Sequence, residues 1–477
     1  MPPRGVDEMS TLLVKNAHVL ITMNGQRQTI PAGGLFARDN VIEQVGPTAD
    51  LPEGADVVID AAGTAVLPGL INTHHHFFQT LTRCMPGAQD HEFFDWWLRL
   101  LPIFGEMTDD AVYTASLTAM AELILSGCTT TSDQHYIYAN DITADAQVRA
   151  AQEIGMRFHL ARGGMVRGRS QGGLPPDELV ETEDQILKDS QRLIEAYHDP
   201  KPLAMLRVAL APAGHTSVTT AFMKETARLA RSYKNVGLHT HVAETQGEVA
   251  FLEREFGRRP VPLMVEAGWV GPDVWWAHTI HVNADEIKII AETGTGVSHC
   301  PMSNMRVSSG ICPVREMLDA GVKIGLGTDG SASNDYSNLL EEARSALLLQ
   351  RVVKGPAALT ALESLEMATL GGAAVLGRND IGSLETGKAA DFVGIPLDTL
   401  NMAGGAVHDP IAALVFCRTD RVRFSVINGR QVIRDGQLLT VETDRLVQRH
   451  NDIAVAMALP HPYGDIVSKP ILRRNVS

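Results

Sequence analysis

A chain of 477 residues with 44% hydrophobic and 20% charged side chains holds enough apolar material for a large core, which excludes a disordered protein and leaves room for a barrel plus a smaller module. Its formal net charge of −15 excludes non-specific binding to a nucleic acid polymer or an anionic membrane, since phosphates are repelled, and favours a small-molecule substrate. Five cysteines (Cys84, Cys128, Cys300, Cys312, Cys417) in wide spacings without a CxxC pair exclude a disulfide framework and point to a reducing cytoplasm.

The N-terminus, Met1-Pro2-Pro3-Arg4-Gly5 followed by Asp7 and Glu8, carries no apolar signal core, and no apolar run is long enough to span a bilayer. Leu12–Ile21 reads as a strand. Gly34–Ala37 and Val41–Gly46 read as a hairpin turning at Asp39-Asn40, and Val57–Asp60 reads as a fourth strand. From Ala65 onward apolar strands alternate with helical patterns. The strands are Ala65–His76, Cys128–Gln134, Arg157–Ala161, Arg207–Pro212, Val236–Val242, Val274–His278, Gly296–Cys300 and Lys323–Gly327, with helices such as Asp109–Leu125 and Ala221–Tyr233 between them. Eight such units predict an α/β (β/α)₈ TIM barrel. Asp391–Ile395, Val422–Gly429 and Gln431–Ile433 match the first strands in character. The two ends are therefore expected to pair as a small β-sandwich, with residues 1–65 and 385–440 flanking a barrel over 66–384. The tail, 441–477, is expected to pack on the surface or on a partner copy, in a homo-oligomer.

The chemistry-bearing residues fall at strand ends, on the face where barrel enzymes build their sites. His74 and His76 stand two apart after the first apolar run, a spacing that puts two imidazoles on one side. His241 closes the fifth strand, His278 the sixth and Asp329 the eighth, in Gly327-Thr328-Asp329-Gly330. Imidazoles with one carboxylate suit one Zn²⁺ with a position left for water; supply could make it Fe²⁺ or Mn²⁺. His18, His91, His135, His159 and His198 are read as structural.

Pro68-Gly69-Leu70-Ile71-Asn72-Thr73-His74-His75-His76, His241-Val242-Ala243-Glu244-Thr245, Ala277-His278 and the segment Gly327–Asn334 resemble the amidohydrolase superfamily, in its deaminase and chlorohydrolase branch. The resemblance covers nearly the whole chain. Within the branch, His74–Arg83 is similar to the 8-oxoguanine deaminases. The resemblance implies that His74, His76, His241 and Asp329 bind the metal. It selects His241 over His239 because Glu244 must lie just past the ligand, and His278 over His281 because Ala277-His278 matches the catalytic position. Two-metal members carry a bridging lysine on the fourth strand. None occurs in Leu206–Pro212, which implies a single metal and deamination.

The implied mechanism is attack of metal-activated water on an amidine-like ring carbon. Asp329 accepts a proton, His278 stabilises developing charge, and Glu244 protonates a ring nitrogen before ammonia leaves. Gln79 and Arg83 are expected to face the substrate, Trp97 (with Trp96) to stack on its ring, and Asn304 in Cys300–Asn304 to contact it. The expected substrate is an aminated oxo-purine or pyrimidine: 8-oxoguanine, going to urate and ammonia, with isocytosine and guanine as neighbours. The alternatives are an s-triazine amino- or chlorohydrolase and a thioether-adenosine deaminase, whose anionic tail calls for arginines at the mouth. A non-catalytic scaffold barrel and a two-metal ring-opening amidase fit less well.

Overall fold

The structure is a computed structural model that describes residues 10–462. Eight parallel strands close into a barrel: Leu70–Asn72, Cys128–His135, Arg157–Gly164, Leu206–Pro212, Gly237–Val242, Val274–His278, Gly296–His299 and Lys323–Leu326. The eighth returns to the first through the pair Leu326 and Asn72. Helices cover the outside, so the strands are buried on both faces and read as continuous apolar or β-branched runs rather than alternating ones. The Asp109–Leu125 helix starts where Thr108 accepts a hydrogen bond from the Ala111 backbone and two acids, Asp109 and Asp110, meet the positive helix end.

The first barrel strand differs from expectation. The apolar run from Ala65 is two strands, not one. Thr64–Pro68 lies in a separate sheet, and only Leu70–Asn72 belongs to the barrel. The break falls at Gly69, where a Cβ would come within 2.0 Å of Thr129 Oγ1, so no side chain fits. The expected boundary at 65/66 thus falls inside a strand. His74 and His76 lie just beyond the strand end.

The two chain ends do pair, in one continuous nine-stranded mixed sheet. Its middle is Thr64–Pro68, parallel to Thr11–Ile21 on one side and antiparallel to Phe392–Pro396 on the other. Val14, Leu35, Phe392 and Phe424 share its buried apolar cluster. The described part of the tail forms a helix, Thr443–Ala458, that packs on Asp109–Leu125 and on the turn Phe77–Thr82 of the same chain. His450 Nε2 meets Thr80 Oγ1 at 3.1 Å. The rest of the expected tail lies outside the described residues. Among the described residues no helix is long and apolar enough to cross a membrane.

Candidate metal centre and substrate cavity

Backbone carbonyls can only accept, so they fix the tautomers of the clustered histidines. His76 Nδ1 donates to the Gln134 carbonyl at 2.7 Å and His241 Nδ1 to the Ala213 carbonyl at 3.0 Å. His239 Nδ1 donates to the Trp275 carbonyl at 3.0 Å, so its Nε2 must accept from His74 Nδ1, 2.7 Å away. All three remaining Nε2 atoms, of His74, His76 and His241, therefore present lone pairs inward. Those of His76 and His241 face each other at 3.2 Å with no proton between them, and His74 Nε2 is buried without a hydrogen-bond partner. Asp329 Oδ1 stands 3.2 Å from His74 Nε2 and 3.4 Å from His76 Nε2. Converging lone pairs repel unless a cation sits among them. The set His74, His76 and His241 and the set His74, His278 and Asp329 each keep their ligand atoms within 4.8 Å of one another. This donor set fits a divalent cation.

Burial pushes the His74 and His241 imidazoles well below their ordinary pKa and lowers those of His76 and His278, keeping them neutral. Burial alone would raise the Asp329 carboxyl, but its contact with His74 and the rings of His278 and His76 outweigh this and hold it well below the usual range. Its Oδ2 also accepts from Ser303 Oγ at 2.5 Å and Ser333 Oγ at 3.0 Å. Glu244 goes the other way: burial, then the charges of Asp329 and Glu248, push its carboxyl well above the usual range. Both carboxyls address the same atom, with Glu244 Oε1 at 3.8 Å and Asp329 Oδ2 at 3.9 Å from His278 Nε2. His278 is oriented by Asn304, whose Oδ1 accepts from Nδ1 at 2.8 Å. Glu248 holds the loop by accepting from the backbone of Glu244 at 2.7 Å and of Ala243 at 3.1 Å. Ala243, His278, Thr279 and Asp329 all have left-handed backbone angles, with φ of 53°, 67°, 50° and 58°. Such strain gathers where the fold sacrifices local comfort to aim side chains.

A cavity opens over this cluster, lined by His76, His241, Glu244, His278 and Asp329 at its floor. Gln79 and Trp97, both expected from the sequence, line it, together with Phe93, Phe94, Trp96, Tyr136 and His215, of which only Trp96 was expected. Trp97 Nε1 donates to Tyr136 Oη at 3.2 Å, and Gln79 Oε1 accepts from the Ala332 backbone at 3.3 Å. Gly330 backs onto Gln79 so closely that a Cβ would stand 1.9 Å from Oε1. Two expected contacts lie elsewhere. Arg83 pairs with Glu122 and reaches Ser331 Oγ at 3.2 Å, away from the cavity lining, and Asn304 stands behind His278. His75 meets Ser337 Oγ at 3.0 Å and His281 donates to the Ser309 carbonyl at 2.7 Å, both outside the metal-ligating sets. Sequence reasoning missed Tyr136, His215 and Glu248, the serine pair holding Asp329, and His239 as the orienter of His74. The signal for His239 was present, since it stands two residues before His241 on the same strand face.

The "Amidohydrolase family" model matches residues 65–432. The chain belongs to the amidohydrolase family. It is 42% identical over 452 residues to an 8-oxoguanine deaminase of Pseudomonas aeruginosa, covering 94% of this chain and 99% of that one. It is 38% identical to a hydroxydechloroatrazine ethylaminohydrolase of a Pseudomonas species, covering 90% and 92%. Among solved structures it superposes, with a TM-score of 0.88 and 32% identity over 93% of this chain and 100% of the other, on an atrazine chlorohydrolase from Arthrobacter aurescens complexed with zinc. The chain is an amidohydrolase enzyme of the deaminase and chlorohydrolase branch, and its imidazole and carboxylate cluster is of the kind that binds a divalent metal.

Proposed function

We propose that the protein is a hydrolytic deaminase with a single zinc ion, held by His74, His76, His241 and Asp329, acting on an aminated oxo-purine, with 8-oxoguanine as first substrate and guanine or isocytosine as neighbours. The carrying observation is the pair of buried carboxyls pushed in opposite directions around one histidine, Glu244 protonated and Asp329 ionised. Environments that split two carboxyls in this way assign an acid and a base. The cation supplies Lewis acidity, which makes water nucleophilic near neutral pH. Asp329 Oδ2 takes the proton that the attacking water gives up. The Glu244 carboxyl donates its proton to the ring nitrogen beside the reacting carbon, which draws electrons from that carbon. His278, steadied by Asn304 through Nδ1, presents the lone pair of Nε2 to the water being added. With the carbon tetrahedral, the proton taken by Asp329 passes to the exocyclic nitrogen and ammonia leaves, while the added hydroxyl gives its remaining proton back to Glu244 as the carbonyl forms. Trp97 and Phe93 offer faces to a flat ring, and Gln79 offers an amide that donates and accepts together.

Similarity to the Pseudomonas aeruginosa 8-oxoguanine deaminase supports the purine reading. So does the cavity lining, which among the described residues contains no arginine or lysine to receive an anionic tail. Ammonia release across 8-oxoguanine, guanine, isocytosine, an amino-triazine and a thioether adenosine tests it, with metal analysis alongside. The expected result is turnover of 8-oxoguanine first, with one zinc per chain. Turnover of the triazine and of none of the oxo-heterocycles overturns it.

A further inference from the structure

His215 stands in the loop that follows the fourth barrel strand, two residues past Ala213, whose carbonyl holds His241. Its side chain is buried, it lines the substrate cavity, and neither ring nitrogen has a hydrogen-bond partner. A buried polar ring with nothing to bond is costly, and native structures tolerate it where a ligand completes the set. One face is settled, because Phe256 meets the ring edge-on at 5.9 Å. The ring belongs to neither metal-ligating set. Burial alone, with no neighbouring charge, lowers its pKa to about 4, which leaves a neutral imidazole.

We infer that His215 is a specificity-determining residue, supplying the hydrogen bond that holds the second ring of a bicyclic substrate in the cavity. This rests on the deaminase reading above. A neutral imidazole offers one N–H and one lone pair, so it can serve a ring carbonyl or a ring N–H, both of which the five-membered half of 8-oxoguanine presents. A single-ring substrate such as isocytosine lacks that half.

The test compares kcat/KM for 8-oxoguanine and isocytosine in the wild type, His215→Phe and His215→Gln, with bound metal and melting curves measured on each. The Phe variant is expected to lose about tenfold on the purine while isocytosine turnover stays within about twofold. The Gln variant, which restores a donor and an acceptor, should recover part of the loss. Where the wild type takes the purine alone, the same loss with unchanged metal and melting supports the assignment. Equal losses on both rings, or no loss on the purine, overturn it. Ammonia from none of the rings in the wild type overturns the deaminase reading itself, before any variant is made.

Discussion

Glu244 shows how little of a residue's role resides in its own chemistry. An exposed glutamate is ionised at neutral pH, whereas here burial beside Asp329 and Glu248 keeps the proton on. Glu244→Gln preserves shape and leaves the metal ligands untouched, but an amide cannot give up a proton to a ring nitrogen. The variant should retain its metal and lose roughly 10²–10⁴-fold in turnover. Elemental analysis and ammonia assays on the same sample check both halves, and near-normal turnover would remove Glu244 from proton transfer. His76, His241, His278 and Asp329 at the cavity floor were legible because strand ends follow apolar runs, and Glu244 was legible only through the family resemblance. Arg83 was not, because its partner Glu122 lies 39 residues away and only tertiary packing brings the two together. Tyr136 and His215 were missed because loops after strands carry no periodic pattern to read.

Among elements, seven barrel strands lie close to where apolar runs place them. The first does not, because its apolar run continues unbroken through Gly69 while the backbone changes sheets. Residue type alone does not mark that exchange; the crowding against Thr129 does. The C-terminal helix Thr443–Ala458 was equally unreadable in purpose. It seats Met457 and Ala458 in the apolar cluster that contains Trp97, and it touches the turn carrying Gln79. A chain ending at Thr440 should therefore melt roughly 3–6 °C lower and bind substrate more weakly, with KM rising more than kcat falls. Unchanged melting and KM would mean that the helix is an ornament.

Across the whole molecule, titration separates the folded from the unfolded chain. Burial lowers twelve histidines, among them His75, His135, His239 and His299 to about 3 and His215 and His450 to about 4. Four buried carboxyls, Asp133, Glu244, Glu248 and Glu342, shift upward and oppose them. Below pH 6.5 the unfolded chain takes up protons on histidines that the folded chain keeps neutral. The histidines outnumber the carboxyls, so the unfolded state gains and stability falls as pH drops from 6.5 to about 4.5. Urea midpoints of the metal-free protein across that range should decline steadily; a flat or rising series would contradict the burial of these imidazoles.

The strand Thr64–Pro68 leads straight into the segment bearing His74 and His76, and one of its edges is completed only by Phe392–Pro396. A ribosome has made more than three hundred further residues before that edge can be covered. Asp329 also emerges long after the first two histidines. A metal site built on this frame would be complete only once the chain had been made as far as Phe392–Pro396, when the strand leading to its first two histidines gains its neighbour.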